Sequence, residues 1–374
     1  MGFAENQMIT SIAPGRINLI GEHTDYNNGF VLPAAIKQKI TFNITPNGHK
    51  SNCQITATDL GETISFDLQN LSPIPGSWSN YVVGLCDEII KTRGVITGFN
   101  ASFSGDIPIG AGLSSSAALL CSAAIALDKC FNLGKSKEEW MFLTQKAEHH
   151  FVGTQCGLMD MFASLHGKKN HLMHFDCQHI SFEYVPFDLK NYDLILLNTQ
   201  VSHHLASSEY NTRRKECEEV VHVIRENKKD IFTLRDISFD LLHEFKSKLR
   251  DKVCKRALYV IEENARVLKA IEYLREGKIE LLGELLYETH YGLKNEYEVS
   301  CQELDFLVSF TENIPEVAGA RMMGGGFGGC TLNLIEKKAS SIFLKQIKNA
   351  YKMEYGIDLP HYFVEPSEGA MLIA

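Results

Sequence analysis

Apolar and polar residues alternate along Lys39-Ile-Thr-Phe-Asn-Ile-Thr45 and again along Cys53-Gln-Ile-Thr-Ala-Thr58. A period of two gives a strand one apolar face, so residues 37–66 read as β-rich. Residues 8–12 read as a first strand and Phe99–Gly105 as another. Asp193-Leu-Ile-Leu-Leu-Asn198 is apolar without alternation, the pattern of a strand central to a sheet. Elsewhere the spacing changes to that of helices. Residues 81–92 form one amphipathic stretch, and Ser136 with Glu139 makes an S-x-x-E capping box that opens a helix running to about Phe151. A charged helix is predicted over 212–228. Leu258, Ile261, Ala265, Leu268 and Ile271 mark a helix over 253–276, followed by helices at 279–297, 301–312 and 339–354 and a last strand near 361–365. No repeat, low-complexity tract or long linker interrupts this order. A soft boundary near residue 178 divides the chain into 1–178 and 179–374.

Composition narrows the partners. A chain of 374 residues suggests about two domains. A net charge of −9 argues against a nucleic-acid or anionic-membrane surface. No apolar run approaches the roughly 20 residues of a membrane span, and the first residues lack a basic-then-apolar leader pattern. Ten cysteines occur without a C-x-x-C, which favours reduced thiols and a cytoplasmic location.

Two stretches break the periodic pattern and carry the chemistry. The first is Ser104-Gly-Asp-Ile-Pro-Ile-Gly-Ala-Gly-Leu-Ser-Ser-Ser-Ala-Ala-Leu-Leu120, a glycine-bearing loop running into a helix. Gly110 and Gly112 permit close approach to the backbone, and Ser114, Ser115 and Ser116 are N-cap candidates. A helix start of this kind is either a phosphate cradle or an ordinary cap on a core helix. The second is Ala13-Pro-Gly-Arg-Ile-Asn-Leu-Ile-Gly-Glu-His-Thr-Asp-Tyr-Asn-Asn-Gly29, where Arg16, Glu22, His23 and Asp25 stand among apolar and turn residues. It reads as a hydroxyl-reading loop between strands or as a structural ion-pair cluster at a turn.

Single residues add to these. Glu148 lies near the end of its predicted helix, where the dipole disfavours a carboxylate; it is either solvent-exposed or compensated by a cation. Asp160 stands in a short apolar helix, either on its polar side or as a desolvated acid with a task, and Gly167 is placed as that helix's C-cap. Gly324-Gly-Gly-Phe-Gly-Gly329 matches G-x-G-x-x-G, yet a strand pattern follows it where a dinucleotide site needs a helix. It is a turn, a close packing point or a ligand contact. The pairs His149-His150 and His203-His204, and His171 with His174, lack zinc-site spacing.

Together the motifs resemble a known family. Gly15-Arg-Ile-Asn-Leu-Ile-Gly-Glu-His-Thr-Asp-Tyr26 resembles the galactokinase signature. Pro108-Ile-Gly-Ala-Gly-Leu-Ser-Ser-Ser-Ala117 resembles the phosphate loop of the wider superfamily of galactokinase, homoserine, mevalonate and phosphomevalonate kinases, and Gly324–Gly329 its third motif. The resemblance implies an α+β, two-domain kinase with the active site in the cleft between domains. It implies that Gly110, Ala111, Gly112, Leu113, Ser114, Ser115 and Ser116 wrap the phosphates of ATP, and that Ser116 and Glu148 hold Mg²⁺. It implies that Glu22, His23, Thr24, Asp25, Gly157, Asp160 and Tyr210 face D-galactose. Asp160 is implied as the base and Arg16 as its charged neighbour, in an enzyme acting as a monomer. The family usually reads Met-Asp-Gln at the acid, whereas Met161 follows Asp160 here. A kinase for a related sugar, such as N-acetylgalactosamine, is the alternative. A non-catalytic sensor of ATP and galactose is a second, although sensors carry lesions in the serine-rich loop and Leu113-Ser-Ser-Ser-Ala-Ala118 is intact.

Overall fold

The computed structural model describes residues 7–108, 110–202 and 206–373; Ile109 and the pair His203 and His204 lie outside the described residues. The first strand, β1 (Ile9–Asn18), is longer than the pattern predicts. It continues through Pro14 because its pairing shifts register between Pro14 and Arg16, and a bulge is where a sheet accommodates proline. After β1 come β2 (Phe30–Val31), β3 (Pro33–Pro46), β4 (Asn52–Ala57) and β5 (Glu62–Asp67). Next are α1 (Asn80–Lys91), β6 (Phe99–Gly105), α2 (Ser115–Phe131), α3 (Lys137–Ala147), α4 (Met159–His166), β7 (His171–Asp176) and β8 (Ser181–Pro186). The C-terminal part holds β9 (Tyr192–Ser202), α5 (Ala206–Arg225), α6 (Phe239–Phe245), α7 (Asp251–Glu276), α8 (Ile279–Asn295), α9 (Gln302–Thr311), β10 (Val317–Met322), β11 (Gly328–Glu336), α10 (Ser340–Tyr355), β12 (His361–Phe363) and β13 (Met371–Ile373).

Three sheets result. One has the order β13-β1-β3-β6-β4-β5, antiparallel except where β4 meets β6. The second is β10-β11-β9-β12, and the third is the small β2-β7-β8 sheet. Strand β13 pairs with the edge of β1 from more than 350 residues away, a non-local pairing that no short-range pattern announces. Residue 178 falls in the turn between β7 and β8, a hairpin the sequence reading did not resolve.

Helix α2 explains how the active region is held. It lies across β1 and β3, with α1, α3 and α4 packed around it, and is buried on most sides. Strand β9 is likewise central as expected. Leu194 and Leu196 join the main core while Ile195 and Leu197 join a separate core with Phe343, Ile347 and Tyr351 of α10. Both faces are therefore covered, which is why the strand is continuously apolar. The Ser136–Glu139 capping box forms in full: the Glu139 N–H donates to Ser136 Oγ at 3.2 Å and the Ser136 N–H to Glu139 Oε2 at 2.9 Å. Gly167 does end α4, but with φ −44° it is not a left-handed cap. Glycine stands there because a Cβ would lie 2.3 Å from the Ala35 Cβ.

Candidate active site

The strand β1 delivers Arg16 to the start of the phosphate loop. The Arg16 N–H donates to the Leu113 carbonyl at 3.1 Å, and a Cβ on Gly15 would come within 2.6 Å of the same oxygen. The Arg16 side chain then turns to α4: Nε donates to Asp160 Oδ1 at 2.7 Å and Nη1 to the Gly112 carbonyl at 2.5 Å. The other oxygen of Asp160 accepts from Ser114 Oγ at 2.6 Å. Ser114 occupies the N-cap position of α2 in a left-handed conformation, φ 56°, yet its side chain caps nothing, because it is committed to Asp160. The N-cap expected from the serines is absent, and the first N–H groups of α2 keep their donors for another acceptor.

In the loop itself the apolar side chains of Ala111 and Leu113 are buried, while Gly110 and Gly112 are exposed with φ of 74° and 71°. The backbone thus faces outward over an anchored apolar interior. The Gly324–Gly329 turn, between β10 and β11, packs directly behind: a Cβ on Gly324 would lie 3.4 Å from the Gly112 carbonyl, and one on Gly329 3.5 Å from that of Ala111. The third motif is therefore a close packing surface for the second.

The segment after β1 forms a tight polar turn around a single 3₁₀ turn, Asp25–Asn27. Helix α7 holds it at helical spacing. Tyr259 Oη donates to the Glu22 carbonyl at 3.1 Å, Glu263 Oε1 accepts from the Gly21 N–H at 2.8 Å, and Asn264 Oδ1 accepts from the Phe30 N–H at 2.8 Å. Glu22 is anchored from the other end of the chain, its Oε1 accepting from Arg321 Nη2 at 3.0 Å and from the Gly324 N–H at 2.8 Å. Thr24 turns inward, its hydroxyl against the carbonyls of Gly21 and Phe30, and does not line the cavity. Gly157 also acts from behind: a Cβ there would sit 2.0 Å from Asp25 Oδ2.

These elements enclose a cavity of about 120 Å³. Arg16, Glu22, His23, Asp25, Glu148, Asp160 and Tyr210 line it, together with Gly324 and Gly325 of the third glycine motif and with Thr154, Cys156 and Met159, which the sequence motifs did not single out. Its electrostatics follow from burial. Burial, and next the charge of Asp160, push Asp25 up to about 7. Burial and then Asp160 push Glu148 up to about 8, with Arg16 opposing. Burial, and then the Arg213 charge, hold His23 down at about 3, so the ring is neutral at physiological pH. Burial acts to lower the pKa of Arg16, but Asp160, then Glu22 and Asp25, outweigh it and keep the guanidinium charged.

Glu148 is buried, in the π-helical turn Glu148–Val152 that ends α3. The exposed-glutamate alternative is thereby removed. Burial and then the Glu148 charge push the Tyr81 hydroxyl of α1 up, with Ser116 opposing. Among the described residues no group of three His, Cys, Asp or Glu side chains gathers as a metal site. His149 Nε2 and His150 Nδ1 pair instead with the Cys156 carbonyl and Glu88.

With this geometry in place, the chain can be set beside known proteins. A model of the galactokinase galactose-binding signature matches residues 2–46, the GHMP kinases N terminal domain matches 80–168, and the GHMP kinases C terminal domain matches 270–352. A galactokinase of Thermotoga neapolitana is 40% identical over 366 residues, covering 96% of this chain and 99% of that one. The chain belongs to the galactokinase family. A galactokinase of Clostridium tetani is 38% identical over 98% of this chain and 94% of its own. The crystal structure of Lactococcus lactis galactokinase complexed with galactose superposes with a TM-score of 0.91 at 34% identity, covering 98% of this chain and 95% of that one. A mevalonate kinase at 18% identity and a TM-score of 0.65 shares the fold.

Against the galactokinase pattern, Met161 is the departure noted in the sequence. The structure buries it fully in the main core beside α2, so its side chain does not reach the cavity and no sugar-facing donor is lost with it. Arg321 was not anticipated. It is wholly buried and binds the carbonyls of Leu19, Asn18 and Met322 as well as Glu22. Its signal in the sequence was an arginine inside the otherwise apolar strand Val317–Met322, a placement that demands partners.

Proposed function

We propose that the chain transfers the γ-phosphoryl group of ATP to the anomeric hydroxyl of D-galactose, giving α-D-galactose 1-phosphate. The observation that carries this reading is the double hold on Asp160, by Arg16 from the sugar segment and by Ser114 from the phosphate loop. One carboxylate thereby touches both halves of a phosphoryl transfer. Asp160 takes the proton of the attacking hydroxyl. Arg16, charged and aimed at the same point, meets the negative charge that develops on the transferred group. Glu22, His23, Asp25 and Tyr210 offer donors and acceptors to ring hydroxyls, and Gly157 leaves the room that seats Asp25. The backbone of Gly110 to Ser116 and the open start of α2 face the phosphates.

A divalent cation fits the donor set. Glu148 and Ser116 are hard oxygen donors, and Glu148 is a buried carboxyl repelled by Asp160, a charge deficit that a cation would offset. Two protein oxygens completed by ATP phosphates is the manner in which Mg²⁺ is usually held. When bound it would neutralise phosphate charge and align the reacting oxygens. We retain the division into 1–178 and 179–374, with the cavity between contributions of both parts. A cytoplasmic monomer is our reading of the compartment and assembly. The ten cysteines free of disulfides support the compartment.

Coupled ADP release, measured with galactose, glucose, N-acetylgalactosamine and arabinose at equal concentration, tests the activity. Galactose should be fastest. A cavity of fixed donors and acceptors rejects an inverted hydroxyl at a cost of about 1–3 kcal/mol for each buried group left unpaired. Equal or faster release with another of these sugars would overturn the assignment, and no release with any of them would favour a sensor.

A further inference from the structure

Behind the cavity wall runs a line of polar groups that leads from the signature turn into two stretches no sequence motif marks. His23 Nδ1 lies 2.8 Å from the Tyr26 hydroxyl, which lies 2.8 Å from the Tyr297 hydroxyl, which lies 3.2 Å from Cys217 Sγ. Three separate stretches meet here: the signature turn, helix α5 and the segment after α8. His23, Tyr297 and Cys217 are buried, and the Tyr297 ring stacks at a tilt 4.8 Å from His23. The other ring nitrogen, His23 Nε2, is buried with no hydrogen bond of normal geometry, and His23 lines the cavity.

A neutral imidazole carries one N–H, and the bond made by one nitrogen fixes the role of the other. The order of protons along the line therefore decides what His23 offers a ligand. A phenol O–H is a better donor than a neutral imidazole N–H, and a ring nitrogen a better acceptor than a phenol oxygen or a thiol sulfur, so the order is set from the His23 end. Tyr297 passes its O–H to Tyr26, and Tyr26 passes its O–H to Nδ1, the best acceptor in the line. The ring proton consequently sits on Nε2. With Nδ1 occupied by Tyr26, Nε2, which has no protein partner, is left as the ring N–H of a residue that lines the cavity. The reverse order would have the imidazole N–H donate to a phenol oxygen and the line end on sulfur, a weak acceptor.

We propose that the Cys217–Tyr297–Tyr26 line locks His23 as a hydrogen-bond donor, through Nε2, to one hydroxyl of the sugar. Tyr26 and Tyr297 are thereby positioning residues for sugar selection. The inference rests on the sugar-kinase reading above. It makes the wall one fixed donor standing among the carboxyl groups of Glu22 and Asp25. A hydroxyl that accepts from Nε2 keeps its own hydrogen for one of those carboxyls, so the pair of contacts selects a particular hydroxyl orientation.

The tautomer is read directly on the whole chain labelled with ¹⁵N-histidine, by long-range nitrogen–proton correlation at neutral pH. The His23 signals are assigned by their loss in His23→Gln. The result expected is an Nε2–H ring; an Nδ1–H ring overturns the proposal. Kinetics supply the second readout. Tyr26→Phe should raise the galactose KM about three- to tenfold, the worth of one hydrogen bond, with the ATP KM unchanged and kcat less affected. Tyr297→Phe should do the same to a smaller degree. Across a set of singly deoxygenated galactoses, one sugar should lose its penalty in Tyr26→Phe, because the contact it lacks is already gone. An unchanged galactose KM in both variants overturns the proposal even while the wild type turns over galactose. Absence of turnover in a wild type that shows the Nε2–H ring would instead count against the kinase reading. If Tyr26→Phe fails to fold, Tyr297→Phe and the wild-type spectrum still decide.

Discussion

The side-chain wall of the cavity, proposed to face the sugar, and the glycine loop, proposed to face the phosphates, meet at Asp160 and are built by opposite means. The wall is made of side chains. Glu22, His23 and Asp25 are each less than a tenth exposed, and the turn that carries them is held by α7 and by Arg321, hundreds of residues away. The loop is made of backbone. Gly110 and Gly112 are exposed and left-handed, and the apolar side chains between and after them are sunk into the core. Side chains desolvated in fixed roles penalise a ligand that leaves them unpaired, which is how a site discriminates. Backbone donors at a helix start take any phosphate of the right geometry. Specificity and generality are thus separated in space, and substitutions on the two sides should fail differently.

The largest effect is expected at the shared residue. Asp160→Asn keeps both hydrogen-bonding partners nearby but removes the proton acceptor, so turnover should fall by about 10²-fold or more. Nucleotide affinity measured by calorimetry should stay close to that of the wild type. Near-normal turnover would remove Asp160 from the role of base.

Next in size is a contrast between two glycines. In Gly157→Ala the new methyl would sit 2.0 Å from Asp25 Oδ2, so either the acid or the α4 entry must move. Overpacking of this kind costs about 1–3 kcal/mol, and it should appear as a galactose KM raised roughly tenfold or more with the ATP KM preserved. Gly110→Ala meets no atom within 4 Å, and its strain comes from φ 74° alone. That is worth about 1 kcal/mol, and it should act on the ATP KM. Exchange of the two phenotypes would dissolve the distinction between wall and loop.

The smallest effect in activity carries a sign in pH. Glu148 is raised from 4.5 to about 8, so the folded protein holds a proton that the unfolded chain releases. The stability this gives is complete below about pH 4.5 and is lost as pH rises through 8. Asp25, raised from 3.8 to about 7, adds a loss in the same direction over a lower window. In the absence of magnesium and nucleotide, Glu148→Gln should therefore be the more stable protein above pH 8, by on the order of 1–3 kcal/mol. It should also need several times more Mg²⁺ for half-maximal turnover, an amide being the poorer hard-cation ligand. Thermal melts across pH and a magnesium titration check the two halves. A variant that melts below the wild type at every pH would show that the carboxyl is paired and stabilising.

Much of this was legible before any coordinates. Helices with unbroken apolar spacing, such as α7, and the capping box of α3 are local and were readable as such. The glycine loop was readable because backbone conformation confines residue choice. What escaped was non-local. Arg321, Tyr297 and Cys217 carry no motif around them; they matter because the fold delivers them to a turn near residue 22. Strand β13 reaches β1 from the far end of the chain. Ser114 looked like a cap and is a ligand of the acid, a difference that depends on where α4 lies. Met161 looked like a change in the sugar site and is core, because a one-residue step along a helix turns a side chain about 100° away from its neighbour.

The most direct test of the account is the position of the phosphate in the product. Purified protein, MgATP and galactose are to be followed by ³¹P and ¹H NMR until the sugar is converted. The account predicts one product, α-D-galactose 1-phosphate, because the hydroxyl proposed to meet Asp160 is the anomeric one. Phosphate on any other carbon of the sugar would contradict it.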